Sequence, residues 1–117
     1  MNYKFPQRME VWYADLPLNE DSFIQGGKRP VLIFSNNICN ERNHILTVIP
    51  MTHQIKKLHL PMHVVVEESP TGGDSLVLVE QITTIEKKLL GSWLGTLKRR
   101  DRRAVEAVVR EHLGLGR

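Results

Sequence analysis

Five short β-forming runs follow one another before the chain shows any helical periodicity, and that order restricts the fold more than any single motif. Glu10-Val11-Trp12-Tyr13-Ala14-Asp15-Leu16 is rich in β-formers and is closed by Pro17. Residues 30–35 form a near-continuous apolar and β-branched run, as expected of a strand buried on both faces. Residues 45–49 end at Pro50, residues 62–67 make a fourth run, and residues 75–82 a fifth after the turn-rich Ser69-Pro70-Thr71-Gly72-Gly73-Asp74. Strands this short and this close leave no room for the crossover helices of βαβ units, so the expected fold is mainly β, a small barrel or a curled antiparallel sheet. Only near the C-terminus does the period change. Ala104, Val105, Val108, Val109, His112 and Leu113 recur at i, i+3 and i+4, which predicts an amphipathic helix over 101–113, its first turn reaching back to residue 99.

A chain of 117 residues is expected to be one domain, 1–117, able to bury a core without covalent staples. The 16 Lys and Arg against 13 Asp and Glu leave a formal charge of +3, and the excess is unevenly placed. Lys56, Lys57, Lys87, Lys88, Lys98, Arg99, Arg100, Arg102 and Arg103 sit in short clusters in the second half, which make a nucleic-acid footprint only where the fold gathers them. Lys98, Arg99 and Arg100 fall near the start of the expected helix, where its dipole disfavours cations. They are either tolerated exposed charges or residues serving an anionic surface. Cys39 stands alone, cannot form an internal disulfide, and reads as a small buried apolar residue of a reducing compartment. Residues 1–8 lack the apolar core of a signal peptide, and no run approaches the roughly 18 apolar residues of a membrane span, so a cytoplasmic location is expected.

The segment Gly26-Gly27-Lys28-Arg29-Pro30 holds the first candidate for chemistry. Glycines allow positive φ and close approach, Pro30 fixes φ, and Arg29 is thereby placed at the mouth of the second strand. Its planar fork of donors suits a phosphate. The preceding loop, 18–27, is long enough to carry function. Thr52 follows the third strand. If strands two and three pair antiparallel, Arg29 and Thr52 converge on one edge, where guanidinium and hydroxyl complement phosphoryl oxygens. The commoner role of such a threonine is to satisfy a turn. His53, His59 and His63 lack the accompanying ligands of known zinc sites, and no metal is expected, while His59 could stack on a base or donate to a phosphate. Gln81, in the fifth run, could read a base edge or be structural, and Ser22 is equally open. No general base can be assigned among Glu20 and the histidines. No phosphate-binding glycine loop and no Ser-His-Asp or Cys-His arrangement is readable.

Taken in order, five blocks strongly resemble the MazF/PemK toxin family: Arg8-Met9-Glu10-Val11-Trp12-Tyr13-Ala14-Asp15-Leu16, Gln25-Gly26-Gly27-Lys28-Arg29-Pro30-Val31-Leu32, Val48-Ile49-Pro50-Met51-Thr52, Leu60-Pro61-Met62-His63-Val64 and Val79-Glu80-Gln81-Ile82-Thr83-Thr84-Ile85. The resemblance implies a compact SH3-like β-barrel of five to seven strands with a C-terminal helix. It also implies a homodimer, sequence-selective cleavage of single-stranded RNA without metal or other cofactor, and a cognate antitoxin that occupies the RNA groove. Arg29 and Thr52 match the family's catalytic arginine and threonine, and Ser22 falls near its loop serine. The implied RNA-binding surface comprises Gln25, Gly27, Lys28, Gln54, Lys56, Lys57, His59 and Gln81. The chain departs from the family's usual pattern in three places. Ser22-Phe23-Ile24-Gln25 is one residue longer than the usual Ser-Glu-Gln and lacks its acid, Met9 stands for a glycine, and Thr83 for an arginine. Two alternatives are an RNA-binding barrel without catalysis and a CcdB-like toxin that poisons DNA gyrase by binding. The Trp-x-x-Gly-Ile ending of the latter is not found around Gly114-Leu115-Gly116-Arg117.

Overall fold

The computed structural model describes residues 5–18, 21–55 and 60–116. Within them lie β1 (Glu10–Leu16), β2 (Gly27–Ile33), α1 (Asn37–Arg42), β3 (Ile45–Thr52), β4 (His63–Ser69), β5 (Gly73–Leu78), β6 (Thr83–Glu86), β7 (Leu90–Thr96) and α2 (Arg99–His112). The seven strands form one sheet in the order β4-β5-β3-β2-β1-β7, with β6 also on β3, and every pairing is antiparallel. The mainly β class with a C-terminal helix is therefore the observed one.

Strand β3 organises the sheet. One edge takes β2, with Val31 opposite Pro50, Leu32 opposite Ile49 and Ile33 opposite Val48. The other takes β6 along residues 45–48 and then β5 at Met51 and Thr52. Alternate residues point to opposite faces, so Leu32, Ile49 and Met51 join one core with Val105 and Val109 of α2. Val31, Ile33 and Val48 join a second with Ala14, Leu16, Leu46 and Ile85. The apolar run after Pro30 is thus buried on both faces, as its composition requires.

The path ends at β4 and β7, which do not pair among the described residues, so the barrel is left unclosed. Its ends meet through contact instead. Gly95 in β7 faces the turn after β4, and a Cβ there would lie 2.8 Å from Pro70 Cβ. A side chain at this position would force the ends apart.

Several boundaries differ from the sequence reading. The polar residues 36–44 contain α1, because Asn36 accepts a hydrogen bond from Cys39 N at 2.9 Å and so caps a short helix. Cys39 is only half-buried there, and fully buried Asn40 takes the inward position. Strand β5 stops at Leu78, and Val79–Gln81 turn in a single 3-10 turn. Gln81 therefore lies outside any strand. Strand β2 begins at Gly27, which puts Arg29 two residues inside it, and Thr52 is the last residue of β3.

Candidate active site

Continuing the β2–β3 register two residues beyond Val31 and Pro50 sets Arg29 opposite Thr52. By the strand alternation both side chains leave the face that carries Val31 and Val48. The half-buried Arg29 donates from Nε to the Gly26 carbonyl at 3.1 Å, and no carboxylate pairs with it among the described residues. Its terminal nitrogens are thus available to an anion. Thr52 is 7% exposed, and its Oγ1 accepts from Gln54 N at 3.1 Å. It therefore satisfies a turn and still has its hydroxyl proton to donate.

The loop before β2 is held against this face. A Cβ on Gly26 would fall 2.5 Å from the Pro17 carbonyl oxygen, so only glycine lets the loop end pass that close to the end of β1. Gln81 grips the loop with both halves of its amide. Its Oε1 accepts from Gln25 N at 2.7 Å and its Nε2 donates to the Phe23 carbonyl at 3.3 Å. Ser22 Oγ accepts from Ile24 N at 3.0 Å, a turn internal to the loop. A chain of contacts thus runs from Gln81 through residues 23–25 to Gly26, whose carbonyl orients Arg29.

Between this loop and Thr83–Ile85 opens a cleft of about 270 Å³ that includes Pro50, two residues before Thr52 on the same face. Gln25 and Ser22 line it, and Gln25 Oε1 is buried there without a partner among the described residues. Phe23, at the loop tip, is 99% exposed. Lys28 and Gln54 are exposed near the two strand ends, and Gly27 takes a φ of 76° at the loop end. Lys56, Lys57, His59 and Glu20 lie outside the described residues.

Two histidines, His53 and His63, bond within the fold. His53 Nδ1 lies 3.1 Å from the Asp74 carbonyl. His63 Nδ1 accepts from Leu60 N at 3.3 Å, which leaves Nε2–H to donate to Glu80 Oε2 at 2.9 Å. Glu80 is thereby anchored beside Gln81. This support was not legible in sequence, since nothing local couples residues 63 and 80. Among the described residues no three His, Cys, Asp or Glu gather in one place.

Fold and site together define a small antiparallel β protein that presents an unpaired arginine and a threonine hydroxyl beside an open cleft. The family described as PemK-like, MazF-like toxin of type II toxin-antitoxin system matches residues 7–113. The chain is 42% identical over 86 residues to Endoribonuclease EndoA of Bacillus subtilis, spanning 72% of this chain and 73% of that protein. It is 35% identical over 111 residues to Endoribonuclease MazF of Staphylococcus saprophyticus, spanning 93% and 92%. Among solved structures, a mycobacterial endoribonuclease in complex with its cognate antitoxin superposes with a TM-score of 0.78 at 26% identity, covering 96% of this chain and 98% of that one. The chain belongs to the PemK-like, MazF-like toxin family.

Proposed function

We propose that the protein is an endoribonuclease toxin that cuts single-stranded RNA at selected sequences without a metal, and that a cognate antitoxin restrains it. The observation that supports this reading is the β2–β3 register, which ends at Val31 opposite Pro50 and, carried two residues further, brings Arg29 level with Thr52. RNA brings its own nucleophile. The 2′ oxygen bonds to phosphorus as the bond to the 5′ oxygen breaks, leaving a 2′,3′-cyclic phosphate and a 5′-hydroxyl. The proton lost from the 2′-hydroxyl passes to a base and the 5′ oxygen takes one up. Arg29 cannot serve as that base, since a guanidinium stays protonated. Its role is to neutralise charge on the phosphoryl oxygens and to donate toward the leaving oxygen, with the Thr52 hydroxyl as a second donor. Ser22, Gln25 and Gln54 lie on the segments next to this point and are assigned to holding the strand, while Lys28, on the opposite side of β2 by alternation, lines a separate cleft with Tyr13 and Ser92. The working form is a homodimer in the cytoplasm.

The test is cleavage of a long RNA of mixed sequence in the presence of a chelator, with mapping of ends. Cyclic phosphate ends at a restricted set of sites, absent with a folded Arg29→Ala protein, are expected. Wild-type rates from that variant would overturn the assignment.

A further inference from the structure

Four arginines unused by this chemistry line a second cleft, at the opposite end of β1 and β2. Buried Met9 lies in it, with Arg8 to one side and Arg99, Arg102 and Arg103 of α2 on the other. Positions 99, 102, 103 and 106 follow i, i+3 and i+4 spacing and so share one helix face. Glu106, the carboxylate in the cleft, is taken by Arg8 Nη1 at 3.0 Å. Arg8 is further fixed by donating from Nε to the Phe34 carbonyl at 3.0 Å and lying 4.7 Å over the Phe34 ring. Arg99, Arg102 and Arg103 have no carboxylate partner among the described residues. Arg102 Nε is shut off from solvent with no acceptor among the described residues. No side chain caps the first amides of α2, and the carboxylate in its first turn, Asp101, is buried and lies 3.8 Å from Arg100 Nε. Like charges one turn apart repel, and a buried guanidinium nitrogen without an acceptor forfeits its hydration. One occupant relieves the repulsion between the guanidiniums, a compact oxyanion that accepts from several forks at once.

We infer that this cleft binds a phosphate group, at a site separate from Arg29. At about 3.3 Å per residue, β1 alone separates the two ends by roughly 20 Å. The phosphate comes either from the substrate strand, away from the scissile bond, or from a free phosphate or phosphorylated small molecule.

The full chain is titrated with inorganic phosphate at constant ionic strength, balanced by chloride, while the amide resonances of residues 98–103 and the melting temperature are followed. Saturable shifts and a raised melting temperature are expected, with binding weakened about tenfold or more in Arg102→Gln/Arg103→Gln. The single Arg103→Gln, at an exposed position, keeps the test valid if the double variant does not fold. In a second arm, RNA strands of increasing length are blocked by a 2′-deoxy nucleotide at the cut site. A step in affinity with length that disappears in the variants assigns the phosphate to the substrate strand, and saturable phosphate binding without a step assigns it to a free ligand. Identical shifts with chloride alone, unweakened phosphate binding in the variants, or equal binding of oligoglutamate would overturn the inference. The phosphate arm needs no cleavage, so its failure and that of the proposed RNA chemistry are distinguishable.

Discussion

Met9 adopts a φ of 72° while only 2% exposed, a conformation that costs a side-chain-bearing residue about 1–2 kcal/mol. Its N donates to the Ile33 carbonyl at 2.7 Å and its carbonyl accepts from Leu97 N at 3.0 Å, so the backbone cannot relax without breaking both. The family's usual glycine fits that backbone without strain, and here the buried thioether offsets the strain through packing in the larger core. Met9→Ala is expected to lose about 2–4 kcal/mol by leaving a cavity under an unrelieved φ. Met9→Gly should be the more stable of the two variants by denaturant unfolding, reversing the usual order in which glycine is worse than alanine by about 0.5–1 kcal/mol. At the other end of β1, Thr52→Val removes a donor without changing shape and should lower kcat by about 10²–10³, while Thr52→Ser retains most activity in single-turnover cleavage. The sequence suggested the antiparallel pairing of strands two and three that the fold shows, and that pairing is what brings Arg29, two residues inside β2, toward Thr52 at the end of β3. Gln81 was legible as a residue but not in its contacts. The sequence offered an amide for reading bases, and the fold spends both halves of it on backbone 56 and 58 residues away.

The loop between β1 and β2 behaves as one element because few contacts set its shape. Removing the clamp by Gln81→Ala should cost about 1–3 kcal/mol for the two hydrogen bonds lost. It should also broaden the set of cut sites, since residues 22–25 would no longer hold one outline beside the cleft. Gln81→Glu retains the acceptor for Gln25 N but loses the donor to Phe23, so an intermediate pattern of cut sites is expected in end mapping. Five of the seven strands were readable from runs of β-formers, although Pro50, read as the end of the third, lies inside β3. The segment from Thr83 to Thr96 was not, because Lys87, Lys88, Gly91 and Gly95 interrupt any alternation, and β6 and β7 owe their extended form to partners β3 and β1. Helix α1 escaped for the converse reason. Its capping residue Asn36 and polar neighbours have the composition of a turn, and at six residues it is too short to show a period.

Across the whole molecule, the two ends of the strand order are brought together by packing at Gly95 and Pro70 rather than by a ladder. Gly95→Val should therefore lower the melting temperature by several degrees, about 4–8 °C for each kcal/mol in a domain near this size, with the far-ultraviolet spectrum little changed. No loss would mean that the Pro70 contact contributes nothing to closure. The central position of β3 has a different consequence. Carried two residues past Val31 and Pro50, the β2–β3 register brings Thr52 level with Arg29, and sliding β3 by one residue would present the apolar Met51 in its place while turning both cores inside out. The same pairing that buries the cores therefore also brings together the proposed reactive pair, Arg29 and Thr52. A chain that folds in error yields an inert protein and not a nuclease of altered selectivity, so the toxicity of this molecule is conditional on the accuracy of its own folding.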